Sequence, residues 1–163
     1  MKKLYSFLAT VAVSTVFFAQ TTVLTEDFAA ITAGNNTSTS GSSSNWSGNA
    51  NFPTVSAAYQ AGGAVRLGTS SASGSLTSKS IDLSTDGGNV IVTFDVKGWS
   101  SVEGKIKVTI TGQTAKTVTY TAVLTGSFET KSVTFTGGVA DSKVKIETTA
   151  KRVFIDNRSK FNK

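Results

Sequence analysis

The sequence contains no cysteine and no histidine, and it has only one proline among 163 residues. Without cysteine it can build neither a disulfide framework nor a thiolate metal site. Without histidine it lacks the usual general base and the commonest ligand of transition metals. A carboxylate pair such as Asp95 and Glu103, or a Ser–Lys arrangement, stays open, but no spacing favours either. We therefore expect a protein that is not an enzyme.

Charge is also scarce in this chain. Charged residues make up 16% and hydrophobic residues 39%, as in one ordinary globular domain with a packed core. The net charge is +6, and the lysines show no basic stripe outside the C-terminal residues. We therefore expect no nucleic-acid partner, because a mild positive charge of this kind serves solubility.

Residues 1–20 have the three parts of a secretory signal peptide. Lys2 and Lys3 supply the positive start, residues 4–18 are largely apolar, and Ala19 is a small residue at the cleavage point. The apolar run is short for a membrane span and lacks a stop-transfer flank. A buried N-terminal helix is the alternative, but strand-forming residues begin directly afterwards. We predict cleavage after Ala19 or Gln20 and a secreted, bacterial extracellular protein with no membrane span in its mature chain.

The rest of the chain alternates between strand-like segments and glycine-containing turns. In residues 89–99 the hydrophobic side chains of one parity, which a period of two places on the core face, are Val90, Val92, Phe94 and Val96. Similar alternation marks residues 105–111, 117–124, 131–136 and 143–149. Residues 33–51 are polar and predict a long surface loop.

These segments predict an all-β, antiparallel two-sheet β-sandwich, jelly-roll-like, with about nine strands. A parallel sheet would need helical crossovers, for which the sequence leaves no room. We place the sandwich domain at residues 21–157 and a polar basic tail at residues 158–163.

Four segments give the chain a family resemblance: TEDF at 25–28, GAVRLG at 63–68, VTFDVKGW at 92–99 and RVFIDN at 152–157. With them the chain resembles the jelly-roll modules of secreted bacterial surface proteins of the choice-of-anchor or cleaved-adhesin-like type. It is similar in layout to carbohydrate-binding jelly rolls. The resemblance implies an extracellular, non-catalytic module of the kind exported by the type IX route. Family members usually continue into a C-terminal sorting domain, which is absent here, so we expect a stand-alone module or a truncated relative of a longer protein.

Acidic residues near both ends of the predicted sandwich raise the possibility of a metal site. Glu26 shares parity with the core-facing Leu24 and Phe28, where an unpaired carboxylate would be costly. Asp156 likewise shares parity with Phe154. We expect the first and last strands to pair, which would bring Asp156 near Glu26.

Related jelly rolls often hold a structural calcium ion near the chain ends, so the resemblance implies Glu26, Asp27 and Asp156 as its ligands. Two alternatives stay open. A bulge would turn Glu26 outward, or the acids would pair with nearby cations, namely Arg66, Lys151 or Arg152.

Aromatic and amide side chains predict a sugar-binding surface, because flat rings stack on sugar faces and amides bind hydroxyls. The predicted ligand-binding residues are Trp46, Tyr59, Trp99 and Asn45. The alternative is that the two tryptophans cap the ends of the core. Our leading hypothesis is a secreted binding or adhesion module for carbohydrate or another cell-surface ligand. A structural or accessory domain without a ligand is the second, and a hydrolase the third.

Overall fold

The computed structural model describes residues 20–162, apart from the side chains at positions 157–160 and 162. Except for Gln20, the predicted signal peptide lies outside the described residues. The strands are β1 Thr22–Glu26, β2 Thr54–Ser56, β3 Ala58–Gln60, β4 Ala64–Leu67, β5 Ser75–Thr77, β6 Val90–Gly98, β7 Ile106–Ile110, β8 Lys116–Val118, β9 Glu129–Phe135, β10 Val144–Thr148 and β11 Val153–Asn162. A 3-10 turn, Asp86–Gly88, precedes β6. Within the described part of the chain, no helix is long and apolar enough to cross a membrane.

The strands form two antiparallel sheets. The six-stranded sheet has the order β3-β4-β11-β6-β9, with β1 also paired to β11. The five-stranded sheet has the order β2-β5-β10-β7-β8. The predicted all-β two-sheet sandwich is therefore confirmed, with eleven strands in the described residues rather than about nine.

Strand β11 is the centre of the six-stranded sheet. Its first half lies between β4 and β6, and its second half lies between β1 and β6. Four steps along β11, from Asp156 to Lys160, face only two along β6, from Asp95 to Thr93, so a bulge separates the halves. The strand continues to Asn162 beyond this bulge, so the predicted polar tail is wrong for residues 158–162.

The two chain ends do pair, as predicted, but through a different part of β11. Leu24 of β1 faces Phe161, and Glu26 faces Ser159. Both Leu24 and Phe161 are buried in the main core. The expected partner segment, residues 152–157, instead pairs with β4 and β6.

The main core lies between the sheets and follows the predicted alternation. Val90, Val92, Phe94 and Val96 of β6 are all at most 1% exposed. Strand β7 buries Ile106, Val108 and Ile110 and leaves the residues between them partly exposed. A period of two produces this result because successive side chains point to opposite faces of a strand.

The predicted strand over residues 117–124 is wrong beyond Val118, where β8 ends. Residues 119–128, here called the 119–128 loop, instead dock against the end of β6. The Gly98 amide donates to the Ala122 carbonyl at 2.8 Å, and the Leu124 amide donates to the Trp99 carbonyl at 3.1 Å. This loop satisfies backbone groups at the end of β6 that the sheet itself does not pair.

A second, smaller hydrophobic cluster results from this docking. It contains Ala61, Ala64, Trp99 and Phe154, with Leu124 and Phe128 of the loop packed against it. None of these residues belongs to the main core. The six-stranded sheet therefore has an outer face, opposite the main core, that is partly covered by its own loop.

Candidate functional site

A row of four directly paired residues crosses the outer face of the six-stranded sheet. Tyr59 of β3 faces Arg66 of β4, Arg66 faces Phe154 of β11, and Phe154 faces Lys97 of β6. Directly opposite residues in neighbouring strands project from the same face. The row therefore places an aromatic ring, a guanidinium group, a second ring and an ammonium group side by side.

Aromatic rings and arginines stack at one end of this row, in what we call the outer-face cluster: Tyr59, Arg66, Trp99, Arg152 and Phe154. The Arg66 guanidinium lies 4.0 Å from the Tyr59 ring centroid and 5.4 Å from that of Trp99. The Arg152 guanidinium lies 4.7 Å from the Trp99 centroid. Trp99 and Phe154 stack with centroids 5.5 Å apart. Such cation–π and ring contacts hold the flat groups in fixed orientations.

Arg152 of this cluster donates three hydrogen bonds to the carboxylate of Glu103. Its Nε donates to Glu103 Oε2 at 3.0 Å, a terminal nitrogen donates to Oε1 at 2.7 Å, and its backbone amide donates to Oε2 at 3.0 Å. The hydrogen bonds from Arg152 lower the pKa of the Glu103 carboxyl, and the same pairing raises the pKa of Arg152. Arg152 is therefore a structural cation, paired with Glu103 and held over the Trp99 ring.

A second row on the same face is acidic. Asp156 of β11 faces Ala64 on one side and Asp95 of β6 on the other, and Asp95 faces Thr130 of β9. The Thr130 hydroxyl donates to Asp95 Oδ1 at 2.5 Å. Like charges directly opposite each other are usually destabilising, so this pair needs compensating charge.

Lys97 supplies positive charge beside this acidic row. It is only 3% exposed, and its Nζ lies 4.4 Å from the Phe128 ring centroid. Burial lowers the pKa of Lys97, while the negative charge of Asp156 acts in the opposite direction. The alternation of side chains in the sequence predicted that Lys97 faces away from the main core, and it does. Its burial comes from the 119–128 loop, which carries Phe128.

Two solved structures resemble this chain. One comprises the CBM22-1 and GH10 modules of endo-1,4-β-D-xylanase 10B from Clostridium thermocellum, in complex with xylohexaose. The match has 15% identity and a TM-score of 0.52, and it covers 87% of this chain but only 28% of that one. The other is the CBM22-1 xylan-binding domain of a Paenibacillus barcinonensis protein, with 15% identity, a TM-score of 0.50, and 90% and 96% of the two chains covered. The chain shares their β-sandwich fold.

No protein-family model and no curated protein sequence matches the chain. The likeness to the two solved structures therefore concerns the fold, and the chemistry of the site has to be argued from the residues of this chain.

The structure brings three of the four predicted ligand-binding residues to one region. Tyr59 and Trp99 both contact Arg66. Asn45 is exposed and forms an isolated β-bridge with Tyr59, and its carbonyl accepts from the Gln60 amide at 3.2 Å. Trp99 itself is only 7% exposed, so it supports the surface more than it forms it.

Trp46 has a different environment from the other three. It is 9% exposed, belongs to the main core and contacts Phe28 edge to face at 5.5 Å. Its backbone amide donates to the Ala58 carbonyl at 2.9 Å, which anchors the predicted surface loop to β3. The position matches the alternative reading of Trp46, a ring that closes the end of the core.

The predicted calcium ligands are not gathered in one place. Among the described residues, no group of three or more acidic, histidine or cysteine side chains could hold a metal ion. Glu26 accepts from Asn49 Nδ2 at 2.9 Å and Asn51 Nδ2 at 3.0 Å, both through Oε2. Its Oε1 accepts from the Phe28 amide at 3.0 Å. The calcium binding expected of Glu26, Asp27 and Asp156 is untested, and the N–H donors around the Glu26 carboxylate weigh against it.

Glu26 has the parity of the core-facing residues, and the N–H groups that donate to its carboxylate offset the cost of placing a charge there. Neither the expected outward bulge nor pairing with a nearby cation is needed, because Asn49 and Asn51 of the long loop cover the carboxylate. Asp27 accepts from the Ala29 amide at 3.1 Å in a local turn.

Sequence reasoning missed Arg66 and Arg152 as neighbours of Trp99. Arg66 alternates with the core residues Val65 and Leu67, which marks it as outward-facing. Arg152 and Phe154 have the same parity in the last strand. The alternation within each strand therefore indicated that both arginines face outward, but the pairing of β4 with β11 could not be predicted from the sequence.

Proposed function

We propose that this chain is a secreted, non-catalytic module that binds carbohydrate on the outer face of its six-stranded sheet. The observation that carries the proposal is the partly exposed end of the row, where Tyr59 and Arg66 lie side by side, with Asp156, Asp95 and Thr130 in the next row. Phe154 and Lys97 are buried and support this surface without forming it. The surface combines aromatic and planar polar groups on a rigid sheet.

The chemistry of the row suits a sugar. A pyranose ring presents an apolar face, which packs on an aromatic ring, and a rim of hydroxyls that both donate and accept hydrogen bonds. Tyr59 is partly exposed and can provide the ring, while Asp95 is partly exposed and can provide polar contacts. The strands hold these groups in place, so little conformational entropy is lost on binding.

The fold supports the same proposal. One structural neighbour was solved with xylohexaose and the other is described as a xylan-binding domain. We therefore take β-linked plant polysaccharides as the first ligand class to test. Adhesion to another cell-surface ligand is the broader version of this function.

The acids of the outer face are better suited to binding than to hydrolysis. Glycoside hydrolysis ordinarily needs one carboxylic acid and one carboxylate on opposite sides of the scissile bond. Glu103 is ion-paired to Arg152, and Asp95 accepts a hydrogen bond from Thr130. The ion pair lowers the pKa of Glu103, which favours its charged form and opposes its use as a proton donor.

The test is binding of the purified mature protein to a panel of soluble polysaccharides that includes xylan, followed by calorimetry with xylohexaose. We expect binding by the wild type and a loss of at least tenfold in affinity for Tyr59→Ala. Lys145→Gln, on the five-stranded sheet, is the matched control and should bind normally. If the folded wild type binds no glycan, the proposal is wrong and the chain acts as an accessory domain.

A further inference from the structure

Arg66 occupies the middle of the outer-face cluster. Strand β4 directs its side chain away from the main core, between Tyr59 and Trp99. The guanidinium carbon is 4.0 Å from the Tyr59 ring centroid and 5.4 Å from that of Trp99, so both rings restrict where the group can move.

No acid among the residues whose side chains the structure describes forms an ion pair with Arg66. Among the described residues, the ion pairs join other groups, and Arg66 makes none within 4.0 Å. Its Nε is buried and has no hydrogen-bond partner. Arg152, on the same Trp99 ring, is by contrast fully paired with Glu103.

This arrangement has an electrostatic cost. Burial lowers the pKa of Arg66, the Tyr59 side chain raises it, and the positive charge of Arg152 lowers it again. A partly buried cation beside a second cation is disfavoured unless an anion offsets it. Since none of the described side chains supplies an anion within ion-pair distance of Arg66, a bound anion would relieve the cost.

We infer that Arg66 binds the carboxylate of a uronic acid, so that the ligand is an acidic polysaccharide. This inference rests on the proposed carbohydrate-binding function. The two terminal nitrogens of Arg66 would bind the carboxylate end-on, because the Nε edge is closed to solvent. The sugar ring that carries the carboxylate would lie beside Tyr59.

The acidic residues near Arg66 favour a ligand whose negative charges are single and widely separated along the polymer. Asp95 and Asp156 lie on the same face, one row away from Arg66. A densely charged polymer such as a nucleic acid would be repelled by these carboxylates. A polysaccharide with a uronic acid on some of its residues can place a carboxylate at Arg66 and hydroxyl groups beside the two acids.

The experiment compares two forms of one polymer, a glucuronic-acid-substituted xylan and the same xylan after reduction of its carboxyl groups. We expect the wild type to bind the acidic form at least tenfold more tightly, by calorimetry at physiological salt. Arg66→Gln should remove this preference, so that its affinity for the acidic form is no higher than its affinity for the reduced form. Arg66→Lys keeps the charge but loses the planar fork, so it should lose most of the preference.

Lys145→Gln controls for net charge. Lys145 is exposed on the five-stranded sheet, and its partner Glu147 keeps a second ion pair with Lys107. This variant should retain the full preference. Equal affinity of the wild type for both polymers would overturn the assignment of Arg66 and leave carbohydrate binding intact. Binding of neither polymer would overturn both proposals, and this comparison requires no variant to fold.

Discussion

Arg66 and Arg152 contact the same Trp99 ring, at 5.4 Å and 4.7 Å from its centroid, but among the described side chains a carboxylate pairs with Arg152 and none with Arg66. The two arginines therefore have different tasks. Arg152 joins the start of β11 to Glu103 and holds the tryptophan, whereas Arg66 presents an unpaired cation on the surface next to it. The first affects stability and the second affects ligand choice.

The pairing of Arg152 with Glu103 predicts a measurable stability cost when it is broken. Both side chains are largely buried, at 21% and 12% exposure, and two side-chain hydrogen bonds join them. Glu103→Gln should lower the free energy of unfolding by about 2 kcal/mol, because it removes the negative charge and replaces one of the two acceptor oxygens with an NH2 group that cannot accept from Arg152. Urea unfolding measures this. Lys145→Gln, which breaks an exposed pair, should cost less than about 1 kcal/mol. Equal costs for the two variants would contradict this account.

Glu129 predicts how stability changes in acid. Its carboxylate pairs with Lys131 and accepts from the Thr121 amide at 2.7 Å and the Ala122 amide at 3.2 Å. The pairing with Lys131 and the two amides lower the pKa of Glu129 from 4.5 to about 2. A carboxyl with a lowered folded pKa stabilises the fold above its unfolded pKa and loses that contribution as the pH falls through the folded pKa.

We therefore expect the melting temperature to fall as the pH drops from about 4.5 to about 2, and to fall less steeply in Glu129→Gln. Thermal melts at several pH values check this. Asp141→Asn removes a carboxylate from a different loop and controls for the change in net charge. High salt should shrink the effect, because Glu129 is partly exposed. The same acid slope in wild type and Glu129→Gln would exclude Glu129 as its source.

The alternation of side chains predicted the sandwich well, and the reason is local. In β6 and β7 a residue's own strand decides which face it occupies, so Phe94 and Val108 could be assigned to the core directly. The 119–128 loop could not be predicted in this way. Tyr120, Ala122 and Leu124 continue the alternation of β8, but in the structure the strand ends at Val118, and the backbone of Ala122 and Leu124 bonds to Gly98, Trp99 and Glu129 instead.

The candidate site shows the same limit. Tyr59 and Trp99 could be selected from the sequence as aromatic residues near turns, but Arg66 unites them through pairing between strands that are distant in sequence. Trp46 was equally visible, and its burial against Phe28 depends on how the long loop folds back. Residue type identifies candidates here, while sheet topology decides which of them share a surface.

Mutation of Trp46 should mainly affect stability, whereas mutation of Tyr59 should mainly affect glycan binding. Trp46→Ala removes a large buried ring from the main core and should cost about 4 kcal/mol of stability. Tyr59→Ala removes a partly exposed ring and should cost less, while it weakens glycan binding. Urea unfolding and calorimetry on the same two variants separate the effects. A stable Trp46→Ala variant that has lost glycan binding would restore Trp46 as a ligand-binding residue.

The hydrogen bonds to Glu26 predict how the stability of the protein responds to calcium. Three N–H groups, from Asn49, Asn51 and the Phe28 backbone, point at its two oxygens, and donors in these positions oppose a cation. We therefore expect the same melting temperature in millimolar calcium and in chelator, and a loss of about 1 kcal/mol in Asn51→Ala, which removes one donor. Glu26→Gln should be destabilised in both buffers alike. A melting temperature that rises with calcium in the wild type, but not in Glu26→Gln, would establish the metal site instead, because a ligand specific to the folded state must stabilise it.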